Sequence, residues 1–151
     1  MLGELTKEQI ARVLSDEVVG RIGCHANGRT YIVPVTYVFD GENVYGQAGP
    51  GMKIEIMRAN PNVCFEVEQV DNLVNWRTVV GWGTFEELSG EEADEALQMF
   101  LRRLIPLITD EHSQPSHPLD AFATHQFGPK GWTGVIYRIR LQELHGRFEK
   151  K

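Results

Sequence analysis

Two cysteines in 151 residues, Cys24 and Cys64, sit in separate apolar stretches and form no Cys-x-x-Cys, so neither a disulfide framework nor a dithiol redox motif is built here. Both read as small strand hydrophobes. No apolar run approaches the ~18 to 20 residues that cross a bilayer. Residues 1–6 lack the charged and apolar regions of a signal peptide, and a cytoplasmic location is expected. Basic residues are in deficit, 15 Lys plus Arg against 21 Asp plus Glu, for a net charge of −6. General nucleic-acid binding wants a basic stripe and is not expected. No HExxH helix and no GxSxG elbow occur. His112, His117 and His125 lie in a polar, proline-bearing stretch at 109–131 without acidic or cysteine partners at metal-ligand spacing, so no metal site is expected. Internal repeats and linkers are also missing, and one domain over residues 1–151 follows.

What is present is ordinary globular composition, 42% hydrophobic and 24% charged, with periodicity that changes along the chain. Thr6 and Gln9 form a capping box, and Ile10, Val13 and Leu14 give one apolar face to a helix over 7–15. Residues 18–25 read as a strand, Asn27-Gly28 as a two-residue hairpin turn, and 31–39 as the returning strand. Asp40-Gly41 reverses the chain into a strand at 44–47. Pro34 has no N–H to donate, so it marks an edge, a bulge or an interrupted ladder. A short helix over 52–59 ends at Asn60-Pro61. Strands follow at 63–70 and 76–85, where Glu66 and Glu68 alternate as a solvated face. After a second capping box at Ser89 and Glu92, an apolar stripe from Ala93 to Leu104 makes a helix ending near Pro106, and 134–141 is a last strand. About six antiparallel strands with no room for crossover helices exclude a doubly wound parallel sheet. They point to a mainly β fold, a small barrel with peripheral helices.

The most informative stretch is 43–53, Asn-Val-Tyr-Gly-Gln-Ala-Gly-Pro-Gly-Met-Lys. A strand runs into a glycine-rich bend, and Lys53 sits just inside a short helix. Small residues let backbone approach an anion, first-turn N–H groups point at it, and the lysine adds a point charge. This is neither a Walker motif nor a GxGxxG fingerprint. Arg58, five residues on, faces about 140° away and reads as a surface ion pair with Glu55 or another carboxylate. Met52 and Met57 read as packing from their spacing.

Four runs in this order resemble the pyridoxamine 5′-phosphate oxidase-like, FMN-binding split-barrel family, and most closely its nitroimidazole-resistance, flavin-nucleotide-binding branch. They are Val-Pro-Val-Thr-Tyr at 33–37, Tyr-Gly-Gln-Ala-Gly-Pro-Gly-Met-Lys at 45–53, Arg-Ala-Asn-Pro-Asn-Val-Cys-Phe-Glu at 58–66, and Asn-Trp-Arg-Thr-Val-Val-Gly-Trp-Gly at 75–83. The resemblance covers residues 5–105 well and the last third more loosely. It implies a split β-barrel holding FMN, with Lys53 on the phosphate. Val35 and Thr36 would pass the flavin ring, and Tyr45, Gly46, Gln47, Ala48, Gly49 and Met52 would line the same edge. Trp76, Arg77 and Thr78 would add a third element: Arg77 reaches a phosphate or the N1–C2 edge of the ring, and Trp76 or Trp132 flanks it. In relatives that strand serves the site across a dimer interface, so the resemblance implies a homodimer in which two chains build each site. Trp82 reads instead as core or interface packing. Several members of this branch place a histidine where this chain has Gln47, which cannot act as acid, base or nucleophile near neutral pH.

The expected activity is a two-electron oxidation or reduction of a small molecule, a nitroaromatic among the candidates, on bound FMN. A non-catalytic redox sensor or cofactor-sequestering protein is the alternative, as is a haem or deazaflavin binder on the same barrel.

Overall fold

The computed structural model describes residues 1–108 and 134–151. Their elements run β1 (Leu2–Glu4), α1 (Lys7–Asp16), β2 (Val19–Ala26), β3 (Arg29–Thr36), β4 (Val38–Phe39), β5 (Val44–Ala48), α2 (Met52–Ala59), β6 (Asn62–Asn72), β7 (Asn75–Glu87), α3 (Gly90–Ile108) and β8 (Val135–Glu149). All strands join one antiparallel eight-stranded sheet in the order β3-β2-β6-β7-β8-β5-β4, with β1 on the far part of β8. The sheet begins at β3 and ends at β4, and those two strands are separated in the chain by Tyr37 alone. Its two ends are therefore tied together covalently while no ladder closes between them, which is what curls it into a split β-barrel.

Local chemistry explains most of the boundaries. The Thr6 hydroxyl accepts from Gln9 N, and the Gln9 side chain accepts from Thr6 N, so both halves of the α1 capping box form. At the other end of α1, Tyr37 Oη donates to Leu14 O at 2.7 Å, and Arg103 of α3 donates to Ser15 O and Asp16 O at 3.2 Å each. Side chains from elsewhere thus satisfy carbonyls that a helix leaves open. Asn27 and Gly28 both take positive φ, 53° and 77°, as a tight β2–β3 hairpin requires.

The strand expected over 31–39 is two strands. The chain turns inward at Tyr37, which is fully buried, donates its N–H to Val18 O and meets Phe65 edge-on at 5.0 Å. That break, together with β1, raises the expected six strands to eight. The last strand runs to Glu149 rather than 141, because its alternation weakens where it leaves the core to pair with β1 and the far half of β7. Among the described residues β3 pairs only with β2, in unbroken register, which places Pro34 on an edge strand. α3 runs through Pro106 to Ile108. The histidines of 109–131 fall outside the described residues.

The core joins α1, α2 and the inner face of the sheet: Leu14, Ile22, Ile54, Met57, Phe65 and Ile139 are at most 1% exposed. Burial of such side chains is worth about 1.5–3 kcal/mol each. Cys24 belongs to this core, whereas Cys64 is half-buried on the outer face; both are free.

Candidate functional site

β5 delivers its residues alternately to two sides. Val44, Gly46 and Ala48 are buried, while Tyr45 and Gln47 are half-buried. Gly46 is obligatory for a steric reason: it lies opposite Tyr137 on β8, and a Cβ there would sit 2.5 Å from the Tyr137 hydroxyl. Tyr45 packs beneath α3, with its hydroxyl donating to Asp40 Oδ2 at 2.9 Å. Beyond Ala48 the chain opens. Gly49 and Gly51 have no atom within 4 Å of where a Cβ would stand. Gly51 caps α2 in an extended conformation with no side-chain hydrogen bond, so the first-turn N–H groups of α2 have no side-chain acceptor.

Lys53 occupies that first turn. It is half-buried, and loss of water around the ammonium lowers its pKa below the usual lysine value. Among the described residues it makes no hydrogen bond and no ion pair. A second cation stands near: Arg29, at the start of β3, has Nη1 3.7 Å from Met52 Sδ. Sequence reasoning missed Arg29 because only the return of α2 onto the β2–β3 hairpin brings it there. The helix is fixed by Ile54, Ile56 and Met57 in the core and by Asn60 Nδ2 donating to His25 O. Arg58 points away and pairs with Glu87, the surface ion pair its spacing implies. The arrangement at 49–53 sets a half-buried lysine and first-turn N–H groups beside an open bend, chemistry suited to an anionic group such as a phosphate.

The expected site residues divide into two groups. Val35 is buried on the inner side of β3, and Thr36 is half-buried on the outer side opposite Val19. Gln47, Ala48 and Gly49 lead directly into the turn of α2 that holds Met52 and Lys53, whereas Val35 and Thr36 stand at the other end of β3 from Arg29. Trp76, Arg77 and Thr78 do not join them. They lie on β7, three strands across from β3, at the opposite end of the sheet. Arg77 pairs with Gln69 near the β6–β7 turn, whereas Arg29, whose guanidinium meets Met52, pairs with Ala26 at the β2–β3 turn, so the two lie at opposite ends of the strands. Trp76 Nε1 donates to Glu149 Oε2 at 3.2 Å and Arg77 Nη1 to Gln69 Oε1 at 3.5 Å. Trp132 lies outside the described residues. Glu66 and Glu68 share Arg21, at 3.3 and 3.4 Å, on the outer face.

A split β-barrel defines the class. A family model described as pyridoxamine 5′-phosphate oxidase matches residues 6–148, and the chain belongs to that family. It is similar to a FAD-binding protein from Mesorhizobium loti, at 26% identity over 99% of both chains with a TM-score of 0.75. A candidate 5-nitroimidazole antibiotic resistance protein from Bacteroides thetaiotaomicron shares the fold at 18% identity, over 98% of this chain and 87% of that one, TM-score 0.70. An uncharacterized protein of Rhizobium meliloti is 32% identical over 84 residues, which is 56% of this chain and 56% of that relative's length.

Proposed function

We propose that the chain binds a flavin nucleotide, FMN, with its phosphate on Lys53, Arg29 and the first-turn N–H groups of α2. The observation that carries this reading is Lys53 itself: a partly desolvated ammonium without a counter-charge among the described residues, set in an uncapped helix turn beside two open glycines. Such a group costs stability unless an anion arrives. The FAD-binding relative from Mesorhizobium loti supports a flavin as that anion's carrier.

Bound flavin would supply two-electron chemistry, here the oxidation or reduction of a small molecule. The chain's own residues bind and orient. Lys53 and Arg29 hold the phosphate, the Gly49 bend lets backbone approach it, and the β3–β5 edge presents Thr36 and Gln47 as hydrogen-bonding side chains. Arg77, brought by a second chain, would set positive charge beside the ring. A homodimer in the cytoplasm acting on a small molecule is the reading. Gln47 favours a second one, a flavin-binding redox sensor, because an amide cannot move a proton near neutral pH. Turnover of an acceptor with a reductant separates the two readings.

The test is the visible spectrum of purified protein, with FMN added, before and after desalting. Wild type is expected to retain flavin bands, and Lys53→Ala to lose at least about tenfold in affinity, the loss of one charge-assisted contact. Equal retention by Lys53→Ala overturns the phosphate assignment.

A further inference from the structure

We infer that Arg103 of α3 positions the Val35–Thr36 end of β3 for the flavin, acting through the C-terminal end of α1 and Tyr37. This rests on the flavin reading and adds to it two positioning residues outside the flavin set. A helix C-terminus carries partial negative charge and is steadied by a cation. α1 has no basic residue in its last turn, and Asp16 and Glu17 close it with further negative charge. Arg103 supplies the missing cation from α3, donating to Ser15 O and Asp16 O at 3.2 Å each. The carbonyl one place earlier, Leu14 O, accepts from Tyr37 Oη at 2.7 Å. Arg103 and Tyr37 therefore hold neighbouring carbonyls of one helix end. Burial raises the Tyr37 pKa; Glu17 and Asp16 add to the rise and Arg103 opposes it, so the charges at this helix end all reach the phenol.

Tyr37 in turn sets where the end of β3 lies. It is the single residue between β3 and β4, and no ladder joins those strands among the described residues. Val35 and Thr36 have a strand neighbour on one side alone, Gly20 and Val19 of β2. Their place depends on the Tyr37 anchor, which has its N–H on Val18 O, its hydroxyl on Leu14 O and its ring edge-on to Phe65 at 5.0 Å. The Phe65 ring fills the space beside Gly20, where a Cβ would stand 2.5 Å from it, and Gly20 is the register partner of Val35. A movement of the phenol is thus passed to the Val35 pair through packed atoms. α3 grips the same corner a second time, because Phe100 and Leu104 pack with Val38 and Val18 on either side of Tyr37. Contiguous contacts of this kind act on a ligand that they never touch.

The test is FMN titration of the full chain, with amide exchange beside it. Arg103→Met is expected to weaken FMN about 3- to 30-fold, the span of residues that act without touching a ligand. At saturation its bound flavin should show a displaced visible band, because Thr36 meets the ring from a shifted strand. Arg103→Lys should recover part of both, as an ammonium still reaches one carbonyl. Tyr37→Phe should also weaken FMN, and the double variant should be within about twofold of the worse single one, since both act on one path. Single losses that multiply overturn the inference. So does an Arg103→Met protein that unfolds more readily yet keeps wild-type FMN affinity and band, for the arginine would then be structural only; the flavin reading stands in that case. In the flavin-free protein the Tyr37 amide should exchange faster in Arg103→Met while β6 amides keep their rates, and equal protection at Tyr37 overturns the inference. A wild type that takes up no FMN retires the flavin reading and this inference with it. Should Arg103→Met fail to fold, Arg103→Lys takes its place, and wild-type affinity and Tyr37 exchange there overturn the inference.

Discussion

Lys53 and Tyr137 are both polar groups held under apparent cost, and they separate in what they predict. Burial lowers the Lys53 pKa, so the folded chain holds that proton less tightly than the unfolded chain does. Between the lowered value and lysine's usual value near 10.5, the unfolded state binds more protons, and stability rises with pH. The penalty is fully present below that window. Lys53→Met should therefore stabilise the flavin-free protein at pH 7, within about 1 kcal/mol because the group is half in water. The gain should shrink toward pH 10.5, as urea unfolding at the two pH values would show. A variant less stable than wild type at pH 7 would make the lysine structural. Tyr137 is 1% exposed, and its hydroxyl has no partner among the described residues. Tyr137→Phe should be neutral or stabilising by up to about 1 kcal/mol, whereas Gly46→Ala should cost about 1–3 kcal/mol. Combining them should recover part of that loss, since the new Cβ would meet the hydroxyl first.

Elements here are closed by residues far away in sequence. Glu17 N–H caps Val13 O locally, and the carbonyls beyond it, Leu14, Ser15 and Asp16, are answered from Tyr37 and Arg103. Tyr37→Phe removes one buried donor without changing the ring's shape. A loss of about 1–3 kcal/mol in chemical denaturation is expected, with the aromatic contact to Phe65 retained. No loss would mean that water replaces the phenol. The local signals were legible in the sequence at this scale: the Thr6 box, the Asn27-Gly28 turn, the end of α2 at Asn60 and the alternation of β6 and β7. The break at Tyr37 was not, because an apolar run from 31 to 39 looks alike whether or not it bends. In the candidate site, the bend at 49–51 and the place of Lys53 in the first turn of a short helix were readable from spacing. The neighbouring Arg29, and the separation of Trp76, Arg77 and Thr78 from Lys53, are consequences of topology that no local pattern encodes.

At the scale of the whole molecule, strand order and chain order disagree. β8, the last strand, lies between β7 and β5 and also carries β1. Its longest partner, β7, ends at Glu87, and β8 begins only at Val135. During synthesis at ~5–20 residues per second, about 60 further residues must emerge before β7 is paired along its length, roughly 3–12 s with an open, apolar edge. The N-terminal helix faces the same wait, since its core includes Ile139 and the β8 backbone at Gly146, against which Leu5 hydrogen-bonds. The nascent chain is thus committed to a long exposed interval, and its yield in a cell will be governed by ribosome pace and chaperone occupancy before stability has any say.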